Sequence, residues 1–160
     1  MKLQSFGGEV DLQINQSNKK TADVAAKFLC EINKSFKVPS KKEKRNLVLA
    51  FASKNKIVYG RAFDIIKLKE EIDLMNVKEI IKKLNNITLY EIKSTNRSLK
   101  KDFKGYFFSL STAELLTAQN LKENFKFVFV NIKHKEHFES TLQELFARSK
   151  NIYPSWSISF

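Results

Sequence analysis

Apolar positions along this chain change their spacing several times, and each change marks an element. Between Thr21 and Phe36 they recur as Ala25, Phe28, Leu29, Ile32 and Phe36. That is the spacing of one helix face and predicts an amphipathic helix over 20–37. Ahead of it, Val10, Leu12 and Ile14 alternate and predict a short edge strand within residues 1–16. Pro39 then re-aims the chain. The run Leu47-Val48-Leu49-Ala50-Phe51 suits a helix or a buried strand. The charged start from Lys41 to Arg45, with alanines at 50 and 52, favours a helix over 41–54. Residues 57–68 read as extended, with Asp64, Ile66 and Leu68 on one face and Phe63 and Ile65 on the other. Asn76, three residues before Glu79, predicts a capped helix over 77–84.

The second half is more strongly patterned. Residues 87–95 predict a strand, 96–104 a basic polar loop and 105–110 another strand. Ser111 and Glu114 form a capping-box signature that opens a helix over about 112–122. Residues 125–132 are almost wholly apolar, as in a strand buried on both faces. A helix is predicted over 139–149, and Trp156, Ile158 and Phe160 alternate at the end. There is no internal repeat and no low-complexity linker. Strands interleaved with helices predict an α/β (or α+β) fold with a mixed sheet. We expect one domain over 1–160, its core at about 41–132.

Charge adds a partner to this picture. The net charge is +12, and lysine supplies 25 of the 29 basic residues. Such a surface attracts polyanions, so nucleic acid is the expected class of ligand. No apolar run is long enough for a membrane span, and residues 1–8 lack the apolar core of a secretory leader. A single cysteine, Cys30, excludes an internal disulfide and a cysteine-rich zinc site, and a reducing cytoplasm is the expected compartment. No phosphate-binding loop or dinucleotide fingerprint is present. Ser109 and Ser111 have no nearby histidine to activate them, and His134 and His137 read as a solvated turn.

The chemistry concentrates in Tyr90-Glu91-Ile92-Lys93-Ser94-Thr95. On a strand, Glu91 and Lys93 project to the same face. If exposed, such a pair is only a surface ion bridge worth under about 1 kcal/mol. Asp64 changes that balance. It is an isolated acid in an apolar extended run, and aspartate is a poor strand former. Two acids and a lysine converging from neighbouring strands are the equipment for metal-assisted phosphodiester cleavage. Asp73 is the fallback second acid.

These residues resemble the motif of the PD-(D/E)xK phosphodiesterase superfamily, which has the restriction-endonuclease-like fold. The match spans roughly Glu43 to Ile132. The strand after the motif, the Gly105–Ser111 aromatic run, Glu114 and Phe127–Asn131 are similar to a bacterial branch of nuclease-like domains. The resemblance implies Asp64 and Glu91 as ligands of Mg²⁺ (or Mn²⁺), assisted by the Ile92 carbonyl and by Glu43 on the preceding helix. Lys93 would position or activate the attacking water. Two features depart from the family pattern: Phe63 stands where a proline often precedes the aspartate, and an extra helix separates Asp64 from Glu91.

The implied substrate is double-stranded DNA, gripped by Lys41, Lys42, Lys44 and Arg45 and by Arg97, Lys100, Lys101 and Lys104. Neither basic segment carries the regularly spaced aromatics of a single-strand reader. Cleavage of both strands implies a homodimer, and a methyltransferase or helicase is a candidate partner. The alternatives are a DNA-binding accessory subunit without activity, and a repair or junction nuclease that reads DNA shape.

Overall fold

The computed structural model describes residues 8–100 and 103–153. Helix α1 (Gly8–Ile32) is followed by a short strand β1 (Phe36–Lys37), helix α2 (Lys41–Ala52) and strand β2 (Ile65–Leu68). Helix α3 (Val77–Lys82) leads through a single 3₁₀ turn into the longest strand, β3 (Ile87–Thr95). Then come α4 (Thr112–Leu121), β4 (Phe125–Asn131), β5 (Glu136–Ser140) and α5 (Leu142–Arg148). The strands form one mixed sheet in the order β1-β2-β3-β4-β5. Only β3 and β4 run parallel; the other neighbours are antiparallel. A parallel pair needs a crossover connection, and α4 supplies it. The fold is therefore α/β with a mixed sheet, as the pattern predicts.

The sheet is buried on both sides, so two apolar clusters form. On one face Ile66, Ile87, Leu89, Phe125, Phe127 and Phe129 pack with Leu47, Ala50 and Phe51 of α2, Ile80 of α3 and Ala118 of α4. On the other, Ile65, Tyr90, Ile92, Val128 and Val130 meet Ala25, Ala26 and Leu29 of α1. Alternation along β3 places Glu91 and Lys93 on the first face, continuing the row of Ile87 and Leu89. Three helices start with reciprocal caps: Ser40 with Glu43, Ser111 with Glu114 and Thr141 with Glu144. Each satisfies backbone donors that the first helical turn leaves without partners.

Several expected elements differ from the structure. Residues 8–16 are helical rather than an edge strand. Three alternating residues are a short signal, and no proline or glycine interrupts the chain from Glu9 to Ile32, so the helix propagates through them. It ends before residue 37 because Asn33 turns the chain. Its side chain accepts from the Ser35 amide at 2.9 Å, and its carbonyl accepts from the Phe36 amide at 3.1 Å. Of the extended stretch 57–68, only Ile65–Leu68 pairs in the sheet. Residues 106–110 belong to no helix or strand; Tyr106, Phe108 and Leu110 pack instead against the core. His137 lies in β5 rather than a turn, and α5 starts after Thr141. The Trp156, Ile158 and Phe160 alternation lies outside the described residues.

Candidate active site

Asp64 immediately precedes β2, and its amide donates to the Tyr90 carbonyl at 2.8 Å. In the β2–β3 register Ile65 faces Tyr90, so one step back Asp64 stands beside Glu91. The side chain turns to the neighbouring strand: its Oδ2 accepts from the Ile92 amide at 3.0 Å. Lys44 fixes the approach from behind. Its ammonium donates to the Phe63 carbonyl and lies over the Phe63 ring, 4.7 Å from the centroid. The residue before Asp64 is thereby held by α2, and Phe63 is fully buried where the family pattern often has proline.

Glu91 and Lys93 project together, as expected, and they are buried rather than exposed. Lys93 Nζ donates to Glu91 Oε1 at 3.2 Å and to Glu114 Oε2 at 2.7 Å, all three side chains being 10–12% exposed. That burial removes the bland reading of a surface ion bridge, whose worth depends on solvent screening. Glu91 is the electrostatic centre of the group. Burial pushes its carboxyl up, the Asp64 charge pushes it further, and Lys93 only partly offsets both, leaving it at about 9. Glu114 adds to the upward pressure. Burial and the Asp64 charge thus favour the protonated form of Glu91 in the metal-free site.

In the sequence Glu114 reads as the last residue of a capping box and as part of the resemblance, without a role in the site. It does close that box, since the Ser111 amide donates to its Oε2 at 3.2 Å. The same oxygen also accepts from Lys93. The crossover from β3 to the parallel β4 brings the first turn of α4 back to the C-terminal half of β3, which places Glu114 on Lys93.

Other expected site residues lie elsewhere. Glu43 does not join the cluster. Its Oε1 binds Lys37 Nζ at 2.7 Å, its Oε2 accepts from the Ser40 amide at 2.8 Å, and it is not among the charges acting on Glu91. Its carboxyl is pushed up by burial but brought below the usual range by Lys37 and the Ser40 bonds. Lys44 is likewise engaged within the fold, by the carbonyl and ring of Phe63. Lys41, Lys42 and Arg45 on α2 are exposed, as are Arg97, Lys100 and Lys104 after β3. Lys101 lies outside the described residues. Asp73, the fallback acid, accepts from the Met75 amide at 2.9 Å in the turn before α3.

The donor set of Asp64 and Glu91 is all oxygen, which suits a hard ion such as Mg²⁺ or Mn²⁺ and not zinc. Among the described residues no group of three or more His, Cys, Asp or Glu side chains is placed to hold a metal ion. Mg²⁺ is commonly held by one or two carboxylates with water completing its shell, so Asp64 and Glu91 are the residues that would hold it. Comparison with protein-family models, curated proteins and solved structures found no match. Among the described residues no helix is long and apolar enough to cross a membrane.

Proposed function

We propose that this chain is a metal-dependent deoxyribonuclease of the PD-(D/E)xK superfamily, built on a restriction-endonuclease-like core and hydrolysing phosphodiester bonds in double-stranded DNA. The observation that carries the reading is the meeting of Asp64, Glu91 and Lys93 on one buried face of adjacent strands. A carboxylate kept at high energy by burial and a like charge, beside a lysine, is a recurrent mark of a catalytic centre. The net charge of +12 supports a polyanionic substrate.

Asp64 and Glu91 would hold Mg²⁺ or Mn²⁺. When bound, the ion supplies charge neutralisation at the scissile phosphate and a more acidic water. The chain's own residues do the positioning. The Ile92 amide orients the Asp64 carboxylate, and Lys44 fixes the backbone before it. Glu114 holds the Lys93 ammonium close to Glu91, where it can orient water or meet charge developing on phosphate oxygens. Exposed Lys41, Lys42, Arg45, Arg97, Lys100 and Lys104 supply sequence-independent grip on the backbone. Cutting both strands calls for two such sites, hence a homodimer. A methyltransferase or helicase partner belongs to the same reading.

The test is plasmid cleavage in Mg²⁺ by the wild type, Glu91→Gln and Lys93→Ala. Loss of cutting by roughly a hundredfold or more in each variant is expected. Equal cutting by all three would sink the assignment. A second reading rests on Lys93, whose ammonium is already held by Glu91 and Glu114. In that reading the chain is a DNA-binding accessory subunit with a silent site. Salt-sensitive binding in EDTA, with no cleavage after Mg²⁺ is added, would mark it.

A further inference from the structure

Residues 96–110 connect β3 to α4, and both ends of this loop are tied to the candidate site. It leaves β3 two residues after Lys93 and returns at Ser111, whose cap partner Glu114 binds Lys93. Within it, Gly105 turns the chain at φ +87°, a conformation that favours glycine. From Tyr106 to Leu110 the chain belongs to no helix or strand, and its side chains alternate between half-buried and exposed. Tyr106 and Phe108 point inward: the Tyr106 hydroxyl donates to the Ser94 carbonyl at 2.9 Å, and the Phe108 ring packs 4.9 Å from Phe129. Phe129 is the β4 partner of Lys93.

Phe107, between these two anchors, points outward and is 75% exposed. Among the described phenylalanines the next most exposed, Phe146, reaches only 42%. Exposed Arg97, Lys100 and Lys104 share the loop, whose sequence also carries Lys101 and a single acid, Asp102. A rigidly presented aromatic face amid cations, at the rim of a phosphodiester site, has the chemistry that recognises a nucleobase beside its phosphates.

We infer that Phe107 stacks on a nucleobase that has left the duplex stack, so that the preferred DNA carries an unpaired base, as at a flap, bulge or junction. The inference rests on the nuclease reading and narrows its substrate. A base inside an intact duplex offers no free face to the ring, whereas an unpaired one does. A single ring, rather than a track of aromatics, reads one such base at a discontinuity instead of a long single strand. Because Tyr106 and Phe108 hold the backbone in place, little conformational freedom remains to be lost on contact.

Fluorescence anisotropy in EDTA tests this with a labelled duplex and the same duplex carrying a short single-stranded flap. The wild type is expected to prefer the flap. Phe107→Ala should lose about tenfold in affinity for the flap and little for the duplex, while Phe107→Trp keeps the preference. Lys104→Ala should weaken both DNAs alike and flatten the salt dependence. A 2-aminopurine in the flap should be quenched by the wild type and not by Phe107→Ala. Unchanged flap preference in Phe107→Ala, or none in the wild type, overturns the inference while duplex binding and cleavage leave the nuclease reading standing. Absence of any DNA binding overturns both. If Phe107→Ala dissociates a dimer in sedimentation equilibrium yet binds the flap normally, the ring is a protein contact and the inference fails.

Discussion

Lys93 on the central strand and Glu114 in the first turn of the crossover helix are joined by a 2.7 Å ion pair. Glu114 also accepts from the amide of its own N-cap, Ser111, so one carboxylate closes a helix end and neutralises the site's lysine. The two roles separate by mutation. Ser111→Ala removes only the side-chain half of the cap and should cost about 1 kcal/mol in urea unfolding. Glu114→Ala also strips a buried cation of a partner and should cost about 3 kcal/mol. Cleavage should fall steeply with Glu114→Ala and hold near the wild-type rate with Ser111→Ala. Equal stability losses would mean that the Lys93 contact contributes little.

Glu91 makes stability depend on pH in a direction opposite to most carboxylates. Its folded carboxyl titrates at about 9, against 4.5 for an unperturbed glutamate. Between those values the unfolded chain has released the proton that the folded site still holds. Unfolding is therefore increasingly favoured as pH rises through this window. Glu91→Gln removes the penalty. In EDTA near pH 8 the variant should be more stable than the wild type, with little difference near pH 5. Thermal melts at the two pH values measure it.

Metal should reverse that penalty. An ion bound by Asp64 and Glu91 must displace the Glu91 proton, so Mg²⁺ should bind more tightly near pH 8 than near pH 6. At a free concentration about a hundredfold above Kd it should stabilise the protein by about 2.7 kcal/mol. Asp64→Asn should lose this gain, and EDTA should abolish it in the wild type. Calorimetric scans with and without Mg²⁺ are the measurement.

The opposite face of β3 carries its own polar network. The Tyr90 hydroxyl donates to Glu139 at 2.7 Å, and Lys67 binds the same carboxylate at 2.8 Å. Burial raises the Glu139 carboxyl, but the bonds from Lys67 and Tyr90 outweigh it and leave it below the usual range. Its contribution is therefore present above the ordinary glutamate range and lost as pH falls through the folded value. Tyr90→Phe should cost about 1 kcal/mol near neutrality, with the deficit shrinking in acid. Chemical denaturation across pH tests the sign.

Legibility in the sequence followed the range of the interactions. Residues 125–131 are legible because a strand buried on both faces can hardly be anything but apolar, and Ser111 and Glu114 because a cap is local chemistry. Glu91 and Lys93 were legible as a pair because their shared face follows from strand geometry alone. Glu43 stands apart from the Asp64–Glu91 pair because its cap and Lys37 claim both of its oxygens, a competition visible only in three dimensions. Lys44 looked like one more surface cation until the fold brought Phe63 beneath it. The run after Gly105 has a strand's alternation, but whether such a run finds a ladder depends on which sheet edges remain free.

Tyr90 and Ile92 anchor the back of β3, while Glu91 and Lys93 line its front. A one-residue slip would thrust the two charges against α1 and bring the tyrosine onto the acid side. Register is thus insured twice, by interactions on opposite surfaces. Substitutions that erase the front charges would leave Tyr90, Ile92 and their partners holding the strand. A lineage could silence the chemistry one residue at a time while the sheet stays aligned, and a silenced copy could regain it by restoring those same residues.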